Sequence, residues 1–346
     1  MQGHTIYFDN RPKIIATATV AGPKETEGIV GKYVDLPLNN DMFNEETYEK
    51  AERKMLAYAI EKSIQNANLA KEKVDLLISG DLLNQIISAS FAARQFGIPF
   101  LGVYSACSTM SEAFALSASM VNAGYADTVV AATGSHFSSA ERQYRYPLEL
   151  GCTRPPQSQW TVTGAGSAVI SNKGEGVSIT AATFGKVVDF GVTDVNNMGA
   201  AMAPAAKDTL SQYFSDTGKT PDDFDLILTG DLGKLGKDIL IDLMEREGVD
   251  LTKNYADCGA ALYYEKQKTY QGGSGAACSA IVANGIVLDN LRKGQMKNVL
   301  LIGTGALMSP LTAFQGESIP SIAHCIEICA ENIDSEGTQN AVADIS

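Results

Sequence analysis

Apolar residues in this chain gather in short runs separated by polar stretches. One run, VDLLISGDL at residues 74–82, is apolar almost throughout and closes on Gly-Asp-Leu. A run of this length that stops at a turn suits a strand buried on both faces, as in a parallel sheet. A near copy, FDLILTGDL, lies at residues 224–232, and each copy follows a polar stretch, AKEK and GKTPDD. A second pairing surrounds them. A small-residue helix is predicted from about Ser108 to Asn122, with Gly124 behind it and Val129 opening the strand VVAAT. A similar helix from about Gly275 stops at Gly294, and Val299 opens VLLIG. Both glycines stand where a left-handed C-cap is wanted. The second half is longer between these landmarks, and the additional residues are placed within 249–273.

Strands alternating with helices predict parallel sheets covered by helices. Only two copies of the pattern are present, so the chain reads as a duplication and not a solenoid. The fold expected is α/β: two halves related by a pseudo-two-fold and stacked as a five-layer α/β/α/β/α sandwich. The helices containing AFALSASMVNAG and GAACSAIVANG are apolar nearly all round, which suits a central layer between two sheets. The N-terminal half is set at 1–175, the C-terminal half at 176–330 after the connector SNKGEG, and 331–346 is a polar tail expected to fray.

Composition narrows the function classes. Lys and Arg number 27 against 40 Asp and Glu, a net charge of −13. That balance argues against nucleic acid, whose phosphates require clustered cations, and against direct adhesion to anionic lipid. The beginning, MQGHTIYFDNRPK, has no apolar core of a secretory leader, and no run of about 18 apolar residues predicts a transmembrane helix. The cysteines at 107, 152, 258, 278, 325 and 329 are too sparse for a disulfide scaffold and are expected to be reduced. With three histidines, His4, His136 and His324, and no zinc-like spacing, neither a metal nor a cofactor is expected. The i,i+4 pair Cys325 and Cys329 is read as part of a packed helix.

Candidate chemistry centres on Cys107 in YSACSTMSEA, between the apolar strand PFLGVY and a helix. Thr109 and Glu112 have capping-box spacing, which starts the helix at Ser108 or Thr109. A thiol at a helix N-terminus feels the positive dipole end, which favours thiolate. Two readings stand side by side on spacing alone: a nucleophile, or a small buried hydrophobe. His136, at the end of the next strand in TGSHFSSAERQYR, is either a pocket residue or a loop histidine bonded to backbone. Residues 136–160 read as a long irregular segment with Arg142, Arg145 and Arg154, residues suited to carboxylates by their planar fork. The plainer reading pairs these arginines with Glu141 and Glu149. GTGALMSP, from Gly303 to Pro310 and including Gly305, reads as a tight turn presenting backbone N–H groups to an anion. The candidate ligand-binding set is therefore Cys107, Ser108, Ser135, His136, Arg142, Arg145, Arg154 and Gly305.

The duplicated halves and the strand–helix junction at Cys107 resemble the thiolase and ketoacyl-synthase superfamily. More narrowly, YSACSTMSEA, SHFSSAERQYRYPLELG, NNMGAAMAPAAKDTL, PDDFDLILTGDLG and GTGALMSP are similar to the SpoVAD family. The superfamily resemblance places Cys107 on the nucleophilic cysteine. It places Gly230 or Asp231 where condensing enzymes carry a catalytic His, and Gly273 or Ser274 where they carry an Asn. It implies a fold that has lost condensing chemistry; cysteine-dependent acyl transfer through Cys107 is the alternative. The SpoVAD resemblance implies a non-catalytic component of the SpoVA apparatus. Such a protein binds dipicolinate, with or without calcium, takes it up in sporulation and releases it in germination. Implied too are SpoVA membrane proteins as partners and a peripheral place at the forespore or spore inner membrane. A homodimer through the strand FLGVYS is also implied.

Overall fold

The computed structural model describes residues 3–144 and 153–330. Ten strands form the main path of the sheets: β1 Lys13–Ala21, β2 Leu76–Gly80, β3 Phe100–Gly102, β4 Thr128–Ser135, β5 Gly164–Ser171, β6 Val177–Phe184, β7 Leu226–Thr229, β8 Tyr255–Asp257, β9 Asn298–Ala306 and β10 Ser321–Cys329. The first five lie in the order β3-β2-β4-β5-β1 and the last five in the order β8-β7-β9-β10-β6. Each strand of the second sheet takes the place of the strand five earlier. Strand direction repeats as well. β2 is parallel to β3 and β4, while β5 is antiparallel to β4 and β1. β7 is parallel to β8 and β9, while β10 is antiparallel to β9 and β6. The Gly-Asp-Leu strings thus end β2 and β7, the same strand of a duplicated topology. The sheets touch at one corner, where Lys13 and Ile14 pair with Ser178 and Val177.

The helices that build the layers are α1 Tyr48–Asn66, α2 Ile87–Ala93, α3 Thr109–Asn122, α4 Phe137–Tyr144, α5 Met198–Thr217, α6 Gly233–Glu245, α7 Ala276–Val282 and α8 Leu288–Arg292. α1 covers the outer face of the first sheet and α5 that of the second, while α3 packs on β4 and also on β9 and β10. The result is the five-layer sandwich. Its inner strands are buried on both sides because their two faces serve different cores. On β2, Leu77 enters the outer core with Met55 and Ile60, and Ile78 enters the central core with Phe114. On β9, Leu300 joins the second outer core with Met202 and Leu210, and Leu301 the central one. Every residue of α7 is buried, as a helix squeezed between sheets requires. Gly124 and Gly294 adopt φ of +72° and +69° behind their helices, so both predicted C-caps form. The second central helix is interrupted by a π-turn, Ala283–Val287, between α7 and α8.

Three expectations are corrected. Cys325 and Cys329 lie on strand β10, not on a helix. Positions four apart share a face in both kinds of element, so their spacing does not distinguish the two. Residues 137–144 of the segment read as irregular form α4. Gly303 and Gly305 lie inside β9 and not in a turn. The first sheet gives way to the second between Ser171 and Val177, and the additional residues of the second half hold β8 and a short helix, Cys258–Leu262. No helix among the described residues is long and apolar enough to cross a membrane. The tail 331–346 and Arg145 lie outside the described residues.

Candidate functional site

The junction at Cys107 is a bent elbow. After β3 the chain makes a 3-10 turn, Ala106–Ser108, before α3 begins at Thr109. Ala106 takes φ +52°, a left-handed conformation that costs a non-glycine residue about 1–3 kcal/mol and clusters at functional sites. The Thr109 hydroxyl closes the elbow: it donates to the Ala106 carbonyl (2.6 Å) and accepts from the Ser105 N–H (3.3 Å). It therefore bonds backwards, and the expected Thr109–Glu112 capping box does not form. Ser108 Oγ donates to the Gly303 carbonyl (2.9 Å), tying the elbow to β9. This contact explains the glycines of GTGALMSP. A Cβ on Gly305 would lie 2.1 Å from the Ser105 carbonyl oxygen, and one on Gly303 would lie 2.6 Å from Ser111 Oγ. The glycines permit close approach of β9 to the elbow and do not form an anion nest.

The elbow presents Cys107 to two residues of the other half. Cys107 Sγ is 3.9 Å from Ser274 Oγ. Ser274 Oγ and the Gly275 N–H both donate to Asp231 Oδ2 (3.0 and 2.9 Å), and the Thr304 hydroxyl donates to Oδ1 (2.8 Å). Asp231 is the acid of the second Gly-Asp-Leu string. Its counterpart Asp81 likewise accepts backbone N–H groups, from Leu83 and Ala89, each at 2.7 Å. Burial, then the negative charge of Asp231, pushes the Cys107 thiol well above its ordinary pKa. The expected thiolate is thereby corrected: desolvation and a carboxylate neighbour outweigh the end of a helix dipole.

Around Cys107 is a narrow, partly open cavity of about 40 Å³. Leu82, Tyr104, Tyr144, Met198 and Met308 form much of its wall, and Ser274, Thr161 and Glu141 add polar atoms. No Lys, Arg or His among the described residues lines it. A wider groove adjoins it, sharing Tyr104, Tyr144 and Met308. The Tyr144 hydroxyl donates to the Leu82 carbonyl and lies 3.3 Å from the Tyr104 hydroxyl, bracing the rim.

The other predicted residues divide. Ser135 does not line the cavity; its hydroxyl donates to the Val162 carbonyl (2.7 Å) and accepts from the Ala277 N–H (3.1 Å), anchoring α7. His136 is fully buried and does not line the cavity either. Its Nδ1 accepts from the Ser138 N–H (3.1 Å), which leaves Nε2–H to donate to the Asp41 carbonyl (2.9 Å). Burial lowers its pKa, so the ring is held neutral. Both ring nitrogens of His136 thus bond to backbone groups. Arg142 pairs with Glu49 on the surface. Arg154 pairs with Glu141 behind the cavity wall (3.1 Å). The superfamily resemblance places Asp231 and Ser274, each as one of two alternatives, at the positions of the catalytic His and Asn, and the structure brings both beside Cys107. Sequence reasoning left Glu141, Tyr104 and Tyr144 out of the ligand-binding set. A second pointer to Asp231 was the repeated Gly-Asp-Leu string, whose aspartates are buried in both halves.

The same fold occurs in proteins of known structure. The 3-oxoacyl-[acyl-carrier-protein] synthase III of Aquifex aeolicus VF5 is 14% identical, with a TM-score of 0.57 over 92% of this chain and 99% of its own. The cerulenin-bound OleA of Xanthomonas campestris is 15% identical, with a TM-score of 0.57 over 95% of this chain and 99% of its own. At such identity the likeness is one of fold. The stage V sporulation protein AD of Bacillus subtilis (strain 168) is 43% identical over 320 residues, 92% of this chain and 95% of that protein. The family model for stage V sporulation protein AD matches residues 2–329. A thiolase-like duplicated sandwich with these matches over nearly its whole length belongs to the stage V sporulation protein AD (SpoVAD) family.

Proposed function

We propose that this chain works in sporulation as a non-catalytic binding protein for dipicolinate. It acts with the SpoVA membrane proteins at the forespore or spore inner membrane, taking the ligand up and later releasing it. Membership of the SpoVAD family supports the sporulation role. The observation that carries the non-catalytic reading is the state of Cys107: a buried thiol facing a serine and a carboxylate, in a cavity that no histidine among the described residues lines. Acyl transfer by cysteine needs a thiolate and a partner that moves protons, whose contribution is typically ~10²–10⁴-fold. Asp231 is held by Ser274, Gly275 and Thr304, also accepts from the Cys107 thiol, and raises the thiol pKa further, the opposite of activation. The narrow cavity retained at this position opens beside the wider groove that shares Tyr104, Tyr144 and Met308, and the two together offer the concave surface a small ligand needs.

Titration calorimetry of the full chain with dipicolinate, with and without calcium, tests the reading. Saturable heat that weakens when Cys107 is replaced by a bulkier residue such as Met supports it. Absence of heat from the folded protein sinks it. Cysteine-dependent acyl transfer is the second reading, motivated by the strained elbow under Cys107. Incubation with acyl-CoA and mass spectrometry decides it: an acyl adduct on Cys107, absent in Cys107→Ser, would favour the enzyme.

A further inference from the structure

The cavity poses an electrostatic problem for any carboxylate ligand. Among the described residues its wall carries an acid, Glu141, and no cation, and Asp231 lies beneath the floor. Arg154 is the cation paired with Glu141, one residue deeper. Its Nη1 pairs with Glu141 Oε2 at 3.1 Å, and the two side chains are 17% and 8% exposed. The rest of the fork is buried, and Nε and Nη2 of Arg154 meet no acceptor among the described residues. A guanidinium offers donors in a rigid planar fork suited to both oxygens of one carboxylate. Buried donors left unmade cost about 1–3 kcal/mol, so this arrangement favours the arrival of a further carboxylate oxygen.

The surroundings hold the fork in place. Phe137 and Trp160 stack with centroids 3.7 Å apart and planes 8° from parallel. The guanidinium lies 5.5 Å from the Phe137 ring and 5.3 Å from the Trp160 ring. Lys24 covers Trp160 at 4.2 Å, a second cation beside the first. An arginine fixed against aromatic rings and monodentate to a cavity-lining carboxylate is a site with an occupant already in it.

We propose that Arg154 is the carboxylate anchor of this cavity and that Glu141 is its internal stand-in. An aromatic carboxylate entering past Tyr104 and Tyr144 displaces Glu141 from the guanidinium and takes the fork in its place. This assignment rests on the binding reading above and names the residue pair that confers affinity for anions. No covalent step is involved. Its signature is a pair of substitutions with opposite effects: removing the anchor weakens binding, and neutralising the stand-in strengthens it.

The test is calorimetry at pH 7.5 on the full chain with three probes: dipicolinate, isophthalate and the uncharged pyridine-2,6-dicarboxamide. The two dianions bind and the diamide does not. Arg154→Gln weakens the dianions about tenfold or more, Arg154→Lys less, and Glu141→Gln tightens them by several-fold to about tenfold. Melting curves check that each variant folds. Should Arg154→Gln fail to fold, Glu141→Gln and Arg154→Lys carry the test, and unchanged affinity in both overturns the anchor. Dipicolinate bound equally well by wild type and Arg154→Gln overturns the anchor and leaves the ligand assignment standing. Arg154-dependent binding of isophthalate without binding of dipicolinate overturns the ligand assignment and supports the anchor. Failure of both dianions overturns both.

Discussion

At Cys107 the sign of the perturbation decides the chemistry. A helix N-terminus is worth about 0.3–1 kcal/mol to an exposed anion, less than one pKa unit at about 1.4 kcal/mol. Burial and Asp231 act in the other direction and are stronger. Alkylation of Cys107 by iodoacetamide at pH 7.5 should run at least ~10-fold slower than that of a free cysteine, and Asp231→Asn should accelerate it. A wild-type rate equal to the free thiol, read by mass spectrometry, would contradict this account. A second buried acid gives a pH signature. Glu25 accepts from the Tyr263 hydroxyl (2.5 Å) and the Thr163 N–H (3.1 Å), yet burial raises its pKa to about 7. A carboxyl whose folded pKa exceeds its unfolded value binds protons better when folded. Its contribution is therefore complete below about pH 4.5 and is lost as pH rises through about 7. Relative to Glu25→Gln, wild type should lose up to about 3 kcal/mol between pH 4.5 and 8, measured by urea unfolding. Parallel pH profiles for the two proteins would refute it.

At the scale of the element, two glycines with different duties separate two physical costs. Gly124 caps α3 at φ +72°, and a Cβ placed on it would find open space for 4 Å around, so Gly124→Ala meets only backbone strain, about 1–2 kcal/mol. Gly305 sits in an ordinary strand against the Ser105 carbonyl. Gly305→Ala must push β9 off the Cys107 elbow and should cost about 3 kcal/mol or more, the upper end for overpacking. Equal losses for both variants in denaturant unfolding would count against the close-approach explanation. The same comparison shows why GTGALMSP misled: a glycine needed for space and a glycine needed for φ look alike in a sequence. The segment after His136 misled differently. Phe137, Ala140 and Tyr144 stand at helical i, i+3, i+7 spacing, a short signal in a polar segment, whereas the burial of Ser138, Ser139 and Glu141 in the cavity wall and against α1 is a tertiary effect.

At the scale of the molecule, β3 is the exposed edge of the first sheet, with Phe100 and Leu101 each 37% exposed and Tyr104 beside them. A sheet edge with exposed apolar side chains is a template for a second strand, and an isologous pairing of β3 with its copy is the homodimer expected from the resemblance. Light scattering at micromolar concentration should give twice the chain mass for wild type and the single mass for Leu101→Asp; a wild-type monomer would end that proposal. Much of this architecture could be read along the chain. Apolar runs ending in Gly-Asp-Leu and glycines closing small-residue helices are local features, and each copy points to the same half-sandwich. From local pattern the site could be read only as far as Cys107 and its elbow; the superfamily resemblance added the positions of Asp231 and Ser274 but not their contacts. Ser274, 167 residues away, and Asp231 reach the thiol only once the second half has folded against the first. The pKa of Cys107, the neutrality of His136 and the half-used fork of Arg154 depend on burial and on distances between halves. Periodicity and propensity act between neighbours in sequence, whereas charge and desolvation act between neighbours in space.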